Sequence, residues 1–265
     1  MSVISDYPLY NDPEFYQKVY QRKEFYECRY TDKWWEAWTT TDMSLTFKHL
    51  PHQKLIYLWL SPFTPYMSLY LFHGMGSGKS ECASQAIEAN KMLLDEHNTS
   101  ALFLTPNEIV MSSILYDLLG KEAMPDGSVK FMKKGTGNRY VDSNIRKYLN
   151  EINNHVHTKH CEVNCKEQLQ RKIRRVVKYI KKEKLLQYYD IETHQRFAKY
   201  IEECTDEQIK EQFSNRVIIV DEIHKVRNET RLYQALHKLV KNIYNTRLVF
   251  LTGTPRVDRD NEILP

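Results

Sequence analysis

SLYLFHGMGSGKSECASQAIEANKML, residues 68–93, decides the fold. SLYLF is a short apolar run bounded by a glycine-rich turn, which reads as a buried strand, and from Ser80 onward apolar residues return at helical spacing. Strand, glycine loop and helix in that order let backbone N–H groups approach phosphate oxygens, while the helix N-terminus adds partial positive charge. Gly74, Gly76, Ser77 and Gly78 are the candidate cradle. Lys79 would neutralise β- and γ-phosphates, and the Ser80 hydroxyl would reach Mg²⁺. The strict spacing G-x-x-x-x-G-K-[ST] asks for glycine at position 73, where this chain has His73. The competing reading is a glycine-rich turn that only joins strand to helix.

Working outward, SALFLTP (100–106), NRVIIVDEIH (215–224) and TRLVFLTGTP (246–255) read as three more strands. Between the last two lies a helix with Leu232, Leu236, Leu239, Val240 and Ile243 on one face. Strands apolar on both sides and separated by helices imply a parallel sheet covered on both faces, an α/β fold. Asp221 then falls at the carboxyl edge of the sheet, where ligands of open α/β folds sit. It is the candidate Mg²⁺ carboxylate, and Glu222 the candidate that polarises an attacking water; the alternative is that both residues cap the next helix. Thr252 and Thr254 are placed to bond with the DEIH turn and sense the nucleotide.

Residues 1–45 read as an aromatic, charged N-terminal arm with a short helical pattern from Glu14 to Phe25. The main body is expected over 46–265, with an interruption at about 121–190. Pro51 opens a short helix within LPHQKLIYLWL, since its fixed φ suits a first turn. Lys and Arg total 38 against 34 Asp and Glu, a net charge of +4, so bulk charge does not argue for nucleic acid and any basic surface must be local. Five cysteines and no signal-peptide pattern suggest free thiols in a reducing compartment. The apolar runs are too short to span a bilayer, and the expectation is a soluble intracellular chain.

HGMGSGKS, LTPNE, DEIH and LTGTP, taken together, resemble the motifs of superfamily 2 helicases, whose glycine loop often lacks the first glycine; that accommodates His73. NDPEFYQKVYQRKEFYE, the stretch from FKHLPHQ to GKSECA, and YYDIETHQRFAKYI look like the helicase-like ATPases of large cytoplasmic DNA viruses. These are similar to poxvirus nucleoside triphosphatase I and the small subunit of the viral early transcription factor. The resemblance implies a RecA-like ATP-binding lobe, with Gln53 near adenine, Lys79 and Ser80 on phosphate and Mg²⁺, and Asp221 and Glu222 on Mg²⁺ and water. His224 would couple that site to the Thr252–Thr254 turn, and Thr105, Pro106 and Asn107 would touch a nucleic-acid backbone. It further implies DNA or RNA as partner, single-stranded, and a place in the host cytoplasm, at viral factories, or in the virion. A second RecA-like lobe, in cis or trans, would supply an arginine worth about a thousandfold or more in turnover. Without it this chain is expected to be a slow ATPase. The contrasting expectation is a non-enzymatic nucleotide- or nucleic-acid-binding module.

Two signals are left open. HVHTKHCEVNC groups His155, His157, His160, Cys161 and Cys165, but the spacing matches no defined zinc pattern, so a solvated loop is preferred to a zinc site at His157, Cys161 and Cys165. The basic stretch 166–184 is either a phosphate track or an ordinary charged helix face.

Overall fold

The computed structural model describes residues 6–31, 49–74, 78–123, 129–131, 141, 143–157, 163–180, 185–226 and 230–253. In chain order the elements begin with α1 (Phe15–Gln21), α2 (Lys23–Tyr26), α3 (Pro51–Trp59), β1 (Ser68–Phe72), α4 (Lys79–Ala89) and α5 (Lys91–Glu96). There follow β2 (Ala101–Thr105), α6 (Glu108–Leu118), β3 (Lys121–Ala123), β4 (Val129–Phe131), α7 (Ser143–His157) and α8 (Val163–Ile180). The last are β5 (Tyr189–Thr193), α9 (His194–Glu203), α10 (Asp206–Phe213), β6 (Val217–Val220), a 3₁₀ turn (Ile223–Lys225), α11 (Arg231–Asn242) and β7 (Arg247–Thr252). The chain divides into two compact units, one of residues 1–37, 49–111 and 188–265, the other of 38–48 and 112–187.

The first unit carries a five-stranded sheet in the order β1-β7-β6-β2-β5, parallel throughout. ALFLT and VIIV are apolar at nearly every position and buried at every position, as interior strands covered on both faces must be. Leu102, Leu104, Ile218 and Val220 pack with Phe197 and Ile201 of α9 and Leu236 and Leu239 of α11. Leu104 has no solvent exposure, and Leu104→Ala is expected to cost about 2–5 kcal/mol through lost burial and a cavity, measured as a drop in the denaturant midpoint.

Two expectations need correction. SLYLF was expected to be covered on both faces, but β1 is an edge strand with Tyr70 44% and Phe72 57% exposed. Four strands were expected in the sheet, yet Tyr189–Thr193 is a fifth, paired with β2 in register Phe103↔Ile191. Its charged positions hide it: Asp190 lies 3.2 Å from Arg216 across the sheet end. Thr193 then accepts the N–H of Arg196 and starts α9 at once, as Thr205 and Thr230 start α10 and α11.

The arm packs aromatic rings around Tyr66. Phe15, Phe25 and Tyr66 are buried together, Trp59 stacks on Tyr66 with centroids 4.1 Å apart, and the Tyr66 hydroxyl donates to the Pro8 carbonyl at 3.0 Å. The pattern expected from Glu14 to Phe25 is split into α1 and α2 at Arg22, whose backbone is extended.

In the second unit β3 and β4 pair antiparallel. Asn150 on α7 bonds both backbone groups of Phe131, accepting its N–H at 2.8 Å and donating to its carbonyl at 3.1 Å. On α8, Arg171, Lys172, Arg174, Arg175 and Lys178 are exposed while Ile173, Val176 and Val177 are half-buried, so the described part of the basic stretch is an amphipathic helix. No helix among the described residues is long and apolar enough to cross a membrane.

Candidate functional site

β1 delivers His73 and Gly74 to the carboxyl edge of the sheet, and α4 opens at Lys79. Gly78 caps that helix in the left-handed region at φ 83°, and a Cβ there would fall 2.7 Å from Gln53 Nε2. Both conformation and space therefore call for glycine. Gln53 is itself buried and accepts the Leu50 N–H at 2.9 Å, a bond that closes the N-terminus of α3. Gly78→Ala is expected to destabilise the fold by about 1–2 kcal/mol and to weaken nucleotide binding, read by thermal unfolding and nucleotide titration. Gly74 is exposed and a Cβ would meet nothing within 4 Å, so no packing among the described residues requires glycine there. Gly76, Ser77 and Thr254 lie outside the described residues.

β6 runs into Asp221, whose N–H bonds the Leu104 carbonyl at 2.9 Å and whose Oδ1 accepts the Glu222 N–H at 2.9 Å. Glu222 is held at φ 52°, an uncommon conformation for a residue with a side chain. That turn aims its carboxylate at the glycine loop: Lys79 Nζ lies 2.8 Å from Glu222 Oε1. Glu222 Oε2 is 3.2 Å from His224 Nδ1, and His224 Nδ1 is 2.9 Å from Thr252 Oγ1. β7 lies between β1 and β6, so Thr252 also meets the loop, its carbonyl accepting the His73 N–H at 3.0 Å. At Gly253 a Cβ would stand 3.1 Å from Lys79 Nζ. The four motifs read separately along the chain thus meet as one hydrogen-bonded series.

Burial pushes the Asp221 carboxyl above its ordinary range, and the Glu222 charge adds to it. Burial also works against ionisation of Glu222, but the Lys79 hydrogen bond and charge, with His224 and Lys225, outweigh it and hold that carboxyl low. His224 is lowered by burial, with Glu222 opposing. The buried Asp221 carboxylate and the Ser80 hydroxyl on α4 are hard-oxygen groups of the kind Mg²⁺ takes.

Of the expected backbone-contacting residues, Thr105 is buried and its hydroxyl donates to the carbonyls of Asn107 and Glu192 at 3.3 Å each. Asn107 is exposed but its Oδ1 accepts the N–H groups of Ile109 and Val110, both at 3.0 Å. These side chains shape the turn after β2. Cys161 and the side chains of His157 and Cys165 lie outside the described residues. His194 went unread in the sequence: it is buried at the start of α9, and burial takes its pKa down to about 4 against the pull of the Leu104 and Asp221 carbonyls. A histidine opening a helix after a strand that itself went unread offered no local signal.

A parallel sheet carries a strand–glycine loop–helix unit, and Glu222 of the acidic pair is ion-paired to the loop lysine, the arrangement of a phosphate-binding-loop fold. The chain belongs to the ResIII family, described as Type III restriction enzyme, res subunit, which matches residues 52–257. It is similar to a protein of Frog virus 3 (isolate Goorha) named as helicase 009L, at 25% identity over 80% of this chain and 19% of the relative. A protein of Invertebrate iridescent virus 3 named as helicase 087L is 29% identical, over 80% of this chain and 19% of the relative. One from Acanthamoeba polyphaga mimivirus, named as ATP-dependent RNA helicase R563, is 23% identical over 99% of this chain and 39% of the relative. The chain therefore spans well under half the length of these relatives. No solved structure matches it.

Proposed function

We propose that this chain is the ATP-hydrolysing motor lobe of a viral nucleic-acid-dependent ATPase or helicase, acting in transcription or replication in the host cytoplasm or the virion. The observation that carries the reading is the series Lys79–Glu222–His224–Thr252, each link within 3.2 Å. Bound Mg·ATP would bring the scissile phosphoryl group and the charge-neutralising cation. Gly74, Gly76, Ser77 and Gly78 would cradle phosphate oxygens, Gln53 would sit toward adenine, and Ser80 and Asp221 would hold Mg²⁺. When phosphate takes over Lys79, Glu222 is released to accept hydrogen from the attacking water, and His224 carries the change to Thr252. Thr105, Pro106, Asn107 and the Thr252–Thr254 turn would lie toward a single strand of DNA or RNA, and the exposed Lys and Arg of α8, taken by itself, are a basic face suited to nonspecific phosphate contacts.

A second RecA-like lobe, in cis or trans, is part of this proposal, because nothing in the series above supplies a cation opposite Lys79 to steady the charge that develops on the γ-phosphate. The test is the ATPase rate of this chain with and without single-stranded DNA or RNA, and again with a family second lobe added. Slow turnover alone, and strong stimulation once the lobe and nucleic acid are both present, are expected. Failure to bind or hydrolyse Mg·ATP in every combination would leave a non-enzymatic module.

A further inference from the structure

Cys82, in the first turn of α4, has no solvent exposure, and its Sγ lies 3.6 Å from His73 Nδ1. His73 is the residue that stands where a strict phosphate loop has glycine. His52, next to Gln53 on α3, meets the His73 ring edge-on with centroids 5.0 Å apart, and the Tyr30 hydroxyl contacts His52 Nδ1. One ligand-capable atom from each of His52, His73 and Cys82 lies within 4.8 Å of the other two.

We propose that His52, His73 and Cys82 form a binding site for a borderline-soft divalent transition metal of the zinc class, at the back of the phosphate loop. In tetrahedral zinc, bonds of about 2.3 Å to sulfur and about 2.0–2.1 Å to nitrogen put sulfur and nitrogen ligands about 3.5 Å apart. The Cys82–His73 pair already stands at that separation, and the longest side of the triangle needs to close by no more than about 1.4 Å. Both imidazoles are half-exposed, so they have room to turn and a cation can arrive from their side. Tyr30 brings a phenolic oxygen to the same place, and the donor set of two imidazoles and one thiol suits zinc rather than Mg²⁺.

Protonation is consistent with this. Burial, with His52 and Lys79 adding to it, lowers the pKa of His73 and keeps it in the neutral, ligating form. Burial pushes the Cys82 thiol up to about 12, so without metal it is protonated. Binding replaces that proton: Cys82–SH and M²⁺ give Cys82–S–M⁺ and H⁺, the proton leaving to solvent. A bound cation would clamp α3, the exit of β1 and the start of α4 together, the three segments that present Gln53, the glycine loop and Lys79.

The experiment titrates the metal-free chain with Co²⁺ alone, then with Zn²⁺ against a chromophoric chelator. Expected are one strongly bound equivalent, a near-ultraviolet thiolate-to-cobalt band with the visible absorption of four-coordination, and displacement by Zn²⁺. Cys82→Ser should abolish the near-ultraviolet band, and His52→Asn and His73→Asn should each weaken Zn²⁺ binding by about tenfold or more. A chain carrying Cys161→Ser and Cys165→Ser should keep the band. Should Cys82→Ser fail to fold by circular dichroism, the two histidine variants decide. The proposal is overturned if wild type binds neither metal, if the band survives Cys82→Ser, if it vanishes with Cys161 and Cys165 instead, or if both histidine variants bind as wild type does.

Discussion

Lys79→Ala is expected to lower Mg·ATP affinity about a hundredfold or more, read by calorimetry, and hydrolysis with it. The size follows from what the side chain faces. Lys79 is largely buried and sits 2.8 Å from Glu222 Oε1, and truncating one partner of such a charge pair costs about 2–5 kcal/mol, where every 1.4 kcal/mol is tenfold. In the nucleotide complex the same loss falls on the phosphates. Removing Lys79 also strips from Glu222 the contact that does most to hold its carboxyl low, so the variant loses both its phosphate cation and the partner of its water-orienting group. Unchanged affinity would mean that the loop before α4 does not cradle phosphate at all.

Glu222→Gln is expected to separate binding from chemistry. The amide fits the same left-handed turn and can still meet Lys79, but it cannot take a proton from water, and loss of a general base costs about 10²–10⁴ in rate. Phosphate release should therefore fall by that factor while calorimetry with Mg·ATP stays close to wild type. If affinity fell as far as turnover, Glu222 would be a strut for Lys79 rather than the group that orients water.

The residues of this site were legible one motif at a time because each is local chemistry: Gly-Lys-Ser between strand and helix, an acidic pair at the end of VIIV, a threonine at the end of RLVFLT. Their meeting was not, since the 2.8 Å contact between Lys79 and Glu222 joins positions far apart in the chain. SLYLF carries no mark of being an edge, because an apolar run says that a strand can be buried and not which neighbours it has. YDIET alternates apolar and acidic residues, and its role became visible only through pairing with β2 and the Asp190–Arg216 contact. His52, His73 and Cys82 belong to three separate elements, a grouping that no spacing rule along the chain expresses.

The place of β7 between β1 and β6 has a thermodynamic consequence. If nucleotide changes the state of the Thr252 turn through His224, whatever grips that turn must change nucleotide affinity by the same factor, because a coupling free energy is shared by both ligands. A nucleic-acid strand resting on the turn would tighten or loosen Mg·ATP without touching it. The ratio could be measured from either end, by titrating nucleotide on the strand-bound protein or strand on the nucleotide-bound protein, and the two measurements must agree.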